Sequence, residues 1–369
     1  MLNSIITAEK AVDLIRDGDT IIIGGSGGMG VADTVLVALE KRFLENKTPN
    51  TLTIIHTTGI GAVKSEGLNR LAHQGLIKRV IGGNFGLQLA FMKNLIVSNE
   101  IEAYNFPQGV ICQLYRAMAA KQPGVVTHIG LNTYVDPRQE GGKMNNATTD
   151  DLIEVVKLAD RECLFYKAPI ATVALIRGTT ADEDGNVSME QEGTTLETLS
   201  IAQAVHNAGG TVICQVKRLA QRGSLHPQMV RVPGFLIDAF VIDENQWQNY
   251  AEPYDPSLCG EIRRPMATLQ AAELDMRRVI ARRAAFELTP GAVFNLGVGV
   301  SAGISNVIAE ENMENLVTST IESGVIGGIP GERLYFGSAY NPQAIIDQPY
   351  MFDFYSGGGL DVAFVSFAE

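Results

Sequence analysis

The chain has little of what redox, metal and disulfide chemistry use. Four cysteines (Cys112, Cys163, Cys214, Cys259) and five histidines occur in 369 residues. The cysteines are far apart, form no CxxC pair and sit in apolar runs. They read as buried free thiols, not as a disulfide framework or a zinc site. The histidines (His56, His73, His128, His206, His226) show no HxxxH spacing, and no serine sits in a GxSxG turn. No metal site is expected, and a Ser-His-Asp hydrolase has no foundation. Cations are scarce as well: 29 Lys and Arg against 41 Asp and Glu give a formal net charge of −12. That excludes a nucleic-acid footprint. Any anion site has to be local, built from main-chain N–H groups or a few Arg and Lys. No apolar run reaches the roughly 18 residues of a membrane span. The segment Met1 to Lys10 lacks the layout of a signal peptide, and reduced thiols point to the cytoplasm.

Glycine, by contrast, is plentiful, at 38, as tight strand-to-helix turns require. Strand and helix patterns alternate from the start. Ala8 to Arg16 reads as a helix, Asp19 to Ile23 as a strand, Val31 to Leu44 as a helix, and Leu52 to His56 and Arg79 to Ile81 as strands. Thr172 to Ile176 and Thr211 to Val216 are near-continuous apolar runs, as strands covered on both faces should be. This order predicts an α/β fold with mostly parallel sheets flanked by helices. Asn245 to Pro265 is polar and proline-containing and reads as a linker, with a long helix from Met266 to Glu287 after it. The expected domains are residues 1–262 and 266–369.

The chain also repeats itself. Gly18-Asp19-Thr20-Ile21-Ile22-Ile23-Gly24 lines up with Gly291-Ala292-Val293-Phe294-Asn295-Leu296-Gly297. His56 to Gly61 lines up with Ile321 to Ile326, and Thr172 to Ile176 with Asp361 to Val365. Two related open α/β domains are therefore expected. The second copy stops where the first continues, so it reads as incomplete at the C-terminus.

The run Ile321-Glu322-Ser323-Gly324-Val325-Ile326-Gly327-Gly328 places a carboxylate between a buried-looking strand and a glycine turn. A solvated residue capping that turn is one reading. The repeat offers another, because the counterpart of Glu322 in the first copy is Thr57. An acid present in only one of two equivalent turns is not there because the fold needs it. Gly25 to Gly30 fits GxGxxG after a strand, which suggests a dinucleotide. The second strand ends in His56-Thr57, however, with no acid for a ribose. Gln108, in Phe106-Pro107-Gln108-Gly109, opens a helix and either lies on the surface or points its amide into a cleft. Residues Thr127 to Lys143 form a long ordered loop. Without histidine, metal or redox partner, Glu322 still has covalent carboxylate chemistry open to it. An ionised carboxylate is a weak nucleophile, so its target has to be activated, as a thioester carbonyl is.

At these motifs the chain resembles the family I CoA-transferases, in particular the single-chain acetate and propionate CoA-transferase group. Glu322-Ser323-Gly324-Val325-Ile326-Gly327 matches the family's nucleophile motif. Tyr104 to Gly109 is similar to its Pro-Gln-Gly element. Asp17-Gly18 through Gly30 is similar to its N-terminal signature, with Ser26 in place of the usual Phe and Ala32 in place of the usual Pro. The resemblance implies Glu322 as the catalytic nucleophile. It implies substrate contacts at Gln108, at the Val298 main chain with Gly299, at Gly324, and at Gly357 and Gly358 of a glycine run. It further implies a ping-pong transfer of CoA from a short-chain acyl-CoA to acetate-, propionate- or butyrate-type carboxylates through a glutamyl-CoA thioester. No permanently bound cofactor is expected, coenzyme A being substrate and covalent intermediate. The implied partners are acyl-CoA, short-chain carboxylates and further copies of the chain in a homo-oligomer. An acyl-CoA thioesterase and a non-catalytic acyl-CoA-binding sensor are the alternatives on the same fold.

Overall fold

The structure, a computed structural model, describes residues 4–62, 65–265 and 274–366. The chain forms two compact units, Met1–Glu190 with Glu197–Gln246, and Gln191–Leu196 with Trp247–Glu369. The segment read as a linker is bonded within the second unit: the Asn341 N–H donates to Ser257 O at 3.0 Å and the Arg264 N–H to Asn341 Oδ1 at 2.8 Å. The short piece Gln191–Leu196 also belongs there, through Thr194 Oγ1 donating to Ser323 O at 2.5 Å.

Strands of the first unit are β1 (Thr20–Ile23), β2 (Leu52–His56), β3 (Ile77–Gly82), β4 (Glu102–Asn105), β5 (Gly124–Thr127), β6 (Ile153–Leu158), β7 (Arg161–Lys167), β8 (Val173–Asp182), β9 (Val187–Ser188), β10 (Thr211–Ala220), β11 (Val230–Val232) and β12 (Ala239–Ile242). Its helices are α1 (Ala8–Val12), α2 (Asp33–Asn46), α3 (Leu89–Phe91), α4 (Gln108–Ala119) and α5 (Thr198–Asn207). The main sheet runs β12-β10-β8-β1-β2-β3-β4, all parallel, with β9 and β11 added antiparallel beyond β8. Its central strands β1, β2 and β8 are buried almost throughout, which is why they read as apolar runs. Ile21, Ile23 and Ile54 pack with Val35, Leu36 and Leu39 of α2. Ile22 and Ile55 face the other way and pack with Val110 and Ile111 of α4 and Ile201 and Val205 of α5. β5, β7 and β6 form a separate antiparallel sheet. α1 stops at Val12, short of the expected Arg16, whose N–H bonds to Asp19 Oδ2 at 2.7 Å in the turn into β1.

The second unit holds β13 (Val293–Leu296), β14 (Thr318–Ile321), β15 (Val325–Ile326), β16 (Ile329–Pro330), β17 (Ala339–Tyr340), β18 (Ala344–Ile345) and β19 (Val362–Phe364), with α6 (Met276–Ala285), α7 (Ile304–Glu310) and α8 (Gln348–Ser356). Asp275 caps α6, accepting from the Arg278 N–H at 2.8 Å. The first part of the expected Met266 helix lies outside the described residues. The sheet order is β18-β15-β14-β13-β19, parallel at β14-β13-β19 and antiparallel at β14-β15-β18. Phe294 and Leu296 pack with Ala281 and Ala285 of α6 and Val307 and Ile308 of α7.

The internal repeat is visible in the pairing register. β8-β1-β2 in the first unit corresponds to β19-β13-β14 in the second. Ile21 pairs with Val173 as Phe294 pairs with Val362, and Thr20 pairs with Thr53 as Val293 pairs with Thr318. After the first strand of each copy, the Gly24 N–H donates to Leu175 O at 3.0 Å and the Gly297 N–H to Phe364 O at 2.8 Å. Every one of these pairs maps onto its counterpart through the alignment read from sequence.

Of the four cysteines, Cys112 and Cys214 are buried, whereas Cys163 and Cys259 are partly exposed. The expectation of four buried thiols is corrected at those two. Cys163 lies on β7, in the outer antiparallel sheet, and Cys259 in the turn after Pro256.

Candidate active site

Parallel strands bring their carboxyl ends to one edge, where open α/β sheets bind ligands. In the second unit, Glu322 follows β14 at that edge. Val298 and Gly299 follow β13 beside it, and Val298 is exposed. The chain then reverses through Ser323-Gly324 into β15. Gly324 has φ +104, and a Cβ there would lie 1.9 Å from Ile346 O. Only glycine permits this turn, because the Ile346 N–H also donates to Gly324 O at 2.9 Å. The Ser323 hydroxyl donates to Gly337 O, and Thr194 Oγ1 to Ser323 O, so the turn is held from two sides.

Glu322 is half-buried, and the solvated-cap reading does not describe it. Burial pushes its carboxyl above the ordinary carboxylate range; its own main-chain N–H and the Asn295 amide offset part of that rise. Asn295 Nδ2 lies 3.5 Å from Glu322 Oε2, 3.1 Å from Thr320 O and 3.3 Å from the Tyr355 hydroxyl. Tyr355, on α8, donates to Thr320 Oγ1 at 2.9 Å, and Thr320 Oγ1 donates to Phe294 O at 2.9 Å. Burial raises the Tyr355 phenol, and the nearby Glu322 charge raises it further. α8 ends at Gly357-Gly358, where the Gly357 N–H bonds to Asp353 O and the Gly358 N–H to Tyr355 O, both at 3.0 Å. Gly358 takes φ +82, a glycine helix stop. Both glycines are exposed.

Gln108 stands at the equivalent edge of the first unit, at the start of α4. Its Nε2 is buried with no hydrogen-bond partner among the described residues. A Cβ on Gly83 would lie 2.1 Å from Thr57 O and 3.1 Å from Gln108 Cα, so the ends of β2, β3 and β4 converge there. The GxGxxG loop is pinned to the next turn, the Gly27 N–H donating to Gly59 O at 2.7 Å and the Gly61 N–H to Gly27 O at 2.9 Å. Glycines in that loop thus serve main-chain pairing. Among the described residues no His/Cys/Asp/Glu group could hold a metal ion.

The coenzyme A transferase family model matches residues 5–243. The acetate CoA-transferase YdiF of Escherichia coli K12 is 43% identical over 367 residues, covering 99% of this chain and 69% of the relative. The chain belongs to the coenzyme A transferase family. The caffeate CoA-transferase of Acetobacterium woodii is 42% identical and covers 99% of this chain and 70% of its own. Among solved structures, the YdiF acyl-CoA transferase of E. coli O157:H7 in a thioester complex with CoA superposes with TM-score 0.93. It is 41% identical and covers 100% of this chain and 73% of that one.

Within this family member, the second unit brings Glu322, Val298, Gly299 and Gly324 to one sheet edge and ends α8 at Gly357-Gly358. Asn295, Thr320 and Tyr355 went unnoticed in the sequence. The repeat held the signal for two of them, since Asn295 aligns with Ile22 and Thr320 with Ile55, polar residues where the first copy is apolar.

Proposed function

We propose that the chain transfers CoA from an acyl-CoA to a free carboxylate, with Glu322 as the covalent carrier. One observation carries this reading: a half-buried carboxylate with an amide partner stands in one of two equivalent turns and is absent from the other. Burial raises the basicity of Glu322 and removes water that would solvate it, which favours attack on a thioester. Glu322 attacks the acyl-CoA carbonyl and expels CoA thiolate, leaving a mixed anhydride. The thiolate adds to the glutamyl carbonyl, releasing the first carboxylate and leaving a glutamyl-CoA thioester. A second carboxylate takes the CoA by the reverse steps. The main-chain N–H of Val298 is the proposed donor to the oxyanion, with Gln108, Gly299, Gly324, Gly357 and Gly358 as substrate contacts. The proposed acceptors are short-chain carboxylates; the proposed assembly is a homo-oligomer, in the cytoplasm.

Exchange of labelled acetate into acyl-CoA tests the reading. Glu322→Ala should abolish exchange and Glu322→Gln should slow it drastically. Near-normal exchange in either variant would overturn it, and CoA release without an acceptor would make the protein a thioesterase. Binding of CoA with no exchange in the parent protein would make it a sensor. Short-chain acids set against caffeate in one panel decide the acceptor class. Preference for caffeate would replace the short-chain proposal.

A further inference from the structure

Tyr355 is left unused by the chemistry proposed above. Its surroundings fix the direction of each hydrogen bond it makes. Thr320 Oγ1 gives its proton to Phe294 O, so towards the phenol it can only accept. The phenol therefore donates to Thr320 and presents a lone pair to Asn295 Nδ2, 3.3 Å away. Asn295 Nδ2 carries two protons but has three acceptors in reach: Thr320 O at 3.1 Å, the Tyr355 hydroxyl at 3.3 Å and Glu322 Oε2 at 3.5 Å. The phenol and the carboxylate compete for one N–H.

We propose that Tyr355 is a positioning residue that shares the Asn295 amide proton with Glu322. When Glu322 is a free carboxylate, the amide proton turns to it. When Glu322 carries CoA as a neutral thioester, the proton returns to the phenol oxygen, so the loaded state leaves no amide proton unpaired. The tyrosine makes the free and loaded forms closer in energy, which a two-step transfer needs because each form must convert into the other. The described neighbours that act on Glu322 are Asn295 on β13 and Tyr355 on α8. Only Tyr355 of these titrates, and burial keeps its phenol neutral.

This inference rests on Glu322 as the carrier, and the test separates the two. Tyr355→Phe removes one oxygen and keeps the ring. With the competing acceptor gone, the Asn295 amide stays on the carboxylate. The acid limb of kcat/KM should then move to lower pH by about half a pH unit. The fraction of protein carrying CoA at equilibrium with acyl-CoA and carboxylate, read by intact-protein mass spectrometry, should fall about threefold to tenfold. An unmoved or upward-moved acid limb, or unchanged CoA loading, would overturn the proposal. A uniform loss of rate at every pH would reduce Tyr355 to a structural role. Glu322→Ala retaining exchange would instead overturn the carrier itself.

Discussion

The two copies of the repeated β-α unit share a backbone and differ in what three equivalent positions carry. In the first, Ile22, Ile55 and Thr57 occupy positions that Asn295, Thr320 and Glu322 occupy in the second. Ile22 and Ile55 close onto α4 and α5 as core. Asn295 and Thr320 instead bond one another's elements, Tyr355 and the carboxylate. The opposite faces agree: Ile21 and Ile23 in one copy, and Phe294 and Leu296 in the other, pack on helices. One face of the unit maintains the fold in both copies, and the other is free to become either core or a site.

The comparison breaks first at the acid. Glu322→Ala is expected to cost about 10⁴-fold or more in transfer rate, whereas Thr57→Ala, its counterpart, should cost about tenfold or less. Equal losses would remove the distinction between the copies.

The turn glycines come next. Gly324→Ala combines φ +104 with a Cβ 1.9 Å from Ile346 O, whereas a Cβ on its counterpart Gly59 meets Asn84 Oδ1 at 3.0 Å. Gly324→Ala should cost about 3 kcal/mol or more in chemical denaturation, and Gly59→Ala about 1 kcal/mol.

Exchanging residues between copies sharpens the contrast. Ile22→Asn buries an amide in the apolar core and should cost about 3 kcal/mol of stability. Asn295→Ile should fold and lose about tenfold to a hundredfold in kcat, since it removes a hydrogen bond to a charged group.

The smallest effects are in pH. His56 is buried, and desolvation lowers its pKa from 6.5 to about 4. The unfolded chain takes up its proton first on acidification, so His56 makes stability fall between pH 6.5 and about 4. Glu322 has the opposite sign. Its raised pKa means the folded state holds the proton more tightly, so stability falls as pH rises from the ordinary carboxylate value through the raised one. Glu322→Gln should stabilise the protein at neutral pH by on the order of 1 kcal/mol, and the gain should vanish in acid. The acid limb of kcat/KM in the parent protein should lie above the ordinary carboxylate range. Thermal melts from pH 4 to 8 and a pH–rate profile read these signs.

Much of this was legible in the sequence for identifiable reasons. Parallel strands covered on both faces are short, mostly apolar runs, and β1 and β13 are each followed at once by a glycine, Gly24 and Gly297, so β1, β2, β8 and β13 could be read and aligned. The turn carrying Glu322 stood out because its twin lacked the acid. Tyr355 could not be found that way, since α8 has no aligned counterpart. The segment Gln191–Leu196 joins the second unit through hydrogen bonds to Ser323 and Asp347, far off in sequence. The outer sheet β5-β7-β6 was missed because its strands are partly exposed and lack the apolar signature.

Incubation with acyl-CoA, followed by proteolysis and mass spectrometry, reads whether Glu322 carries CoA covalently. The expected result is a CoA adduct on the peptide containing Glu322, lost on adding excess carboxylate and replaced by a reduced glutamyl side chain after borohydride. Transfer proceeding without that adduct, or with the adduct on another residue, would contradict it.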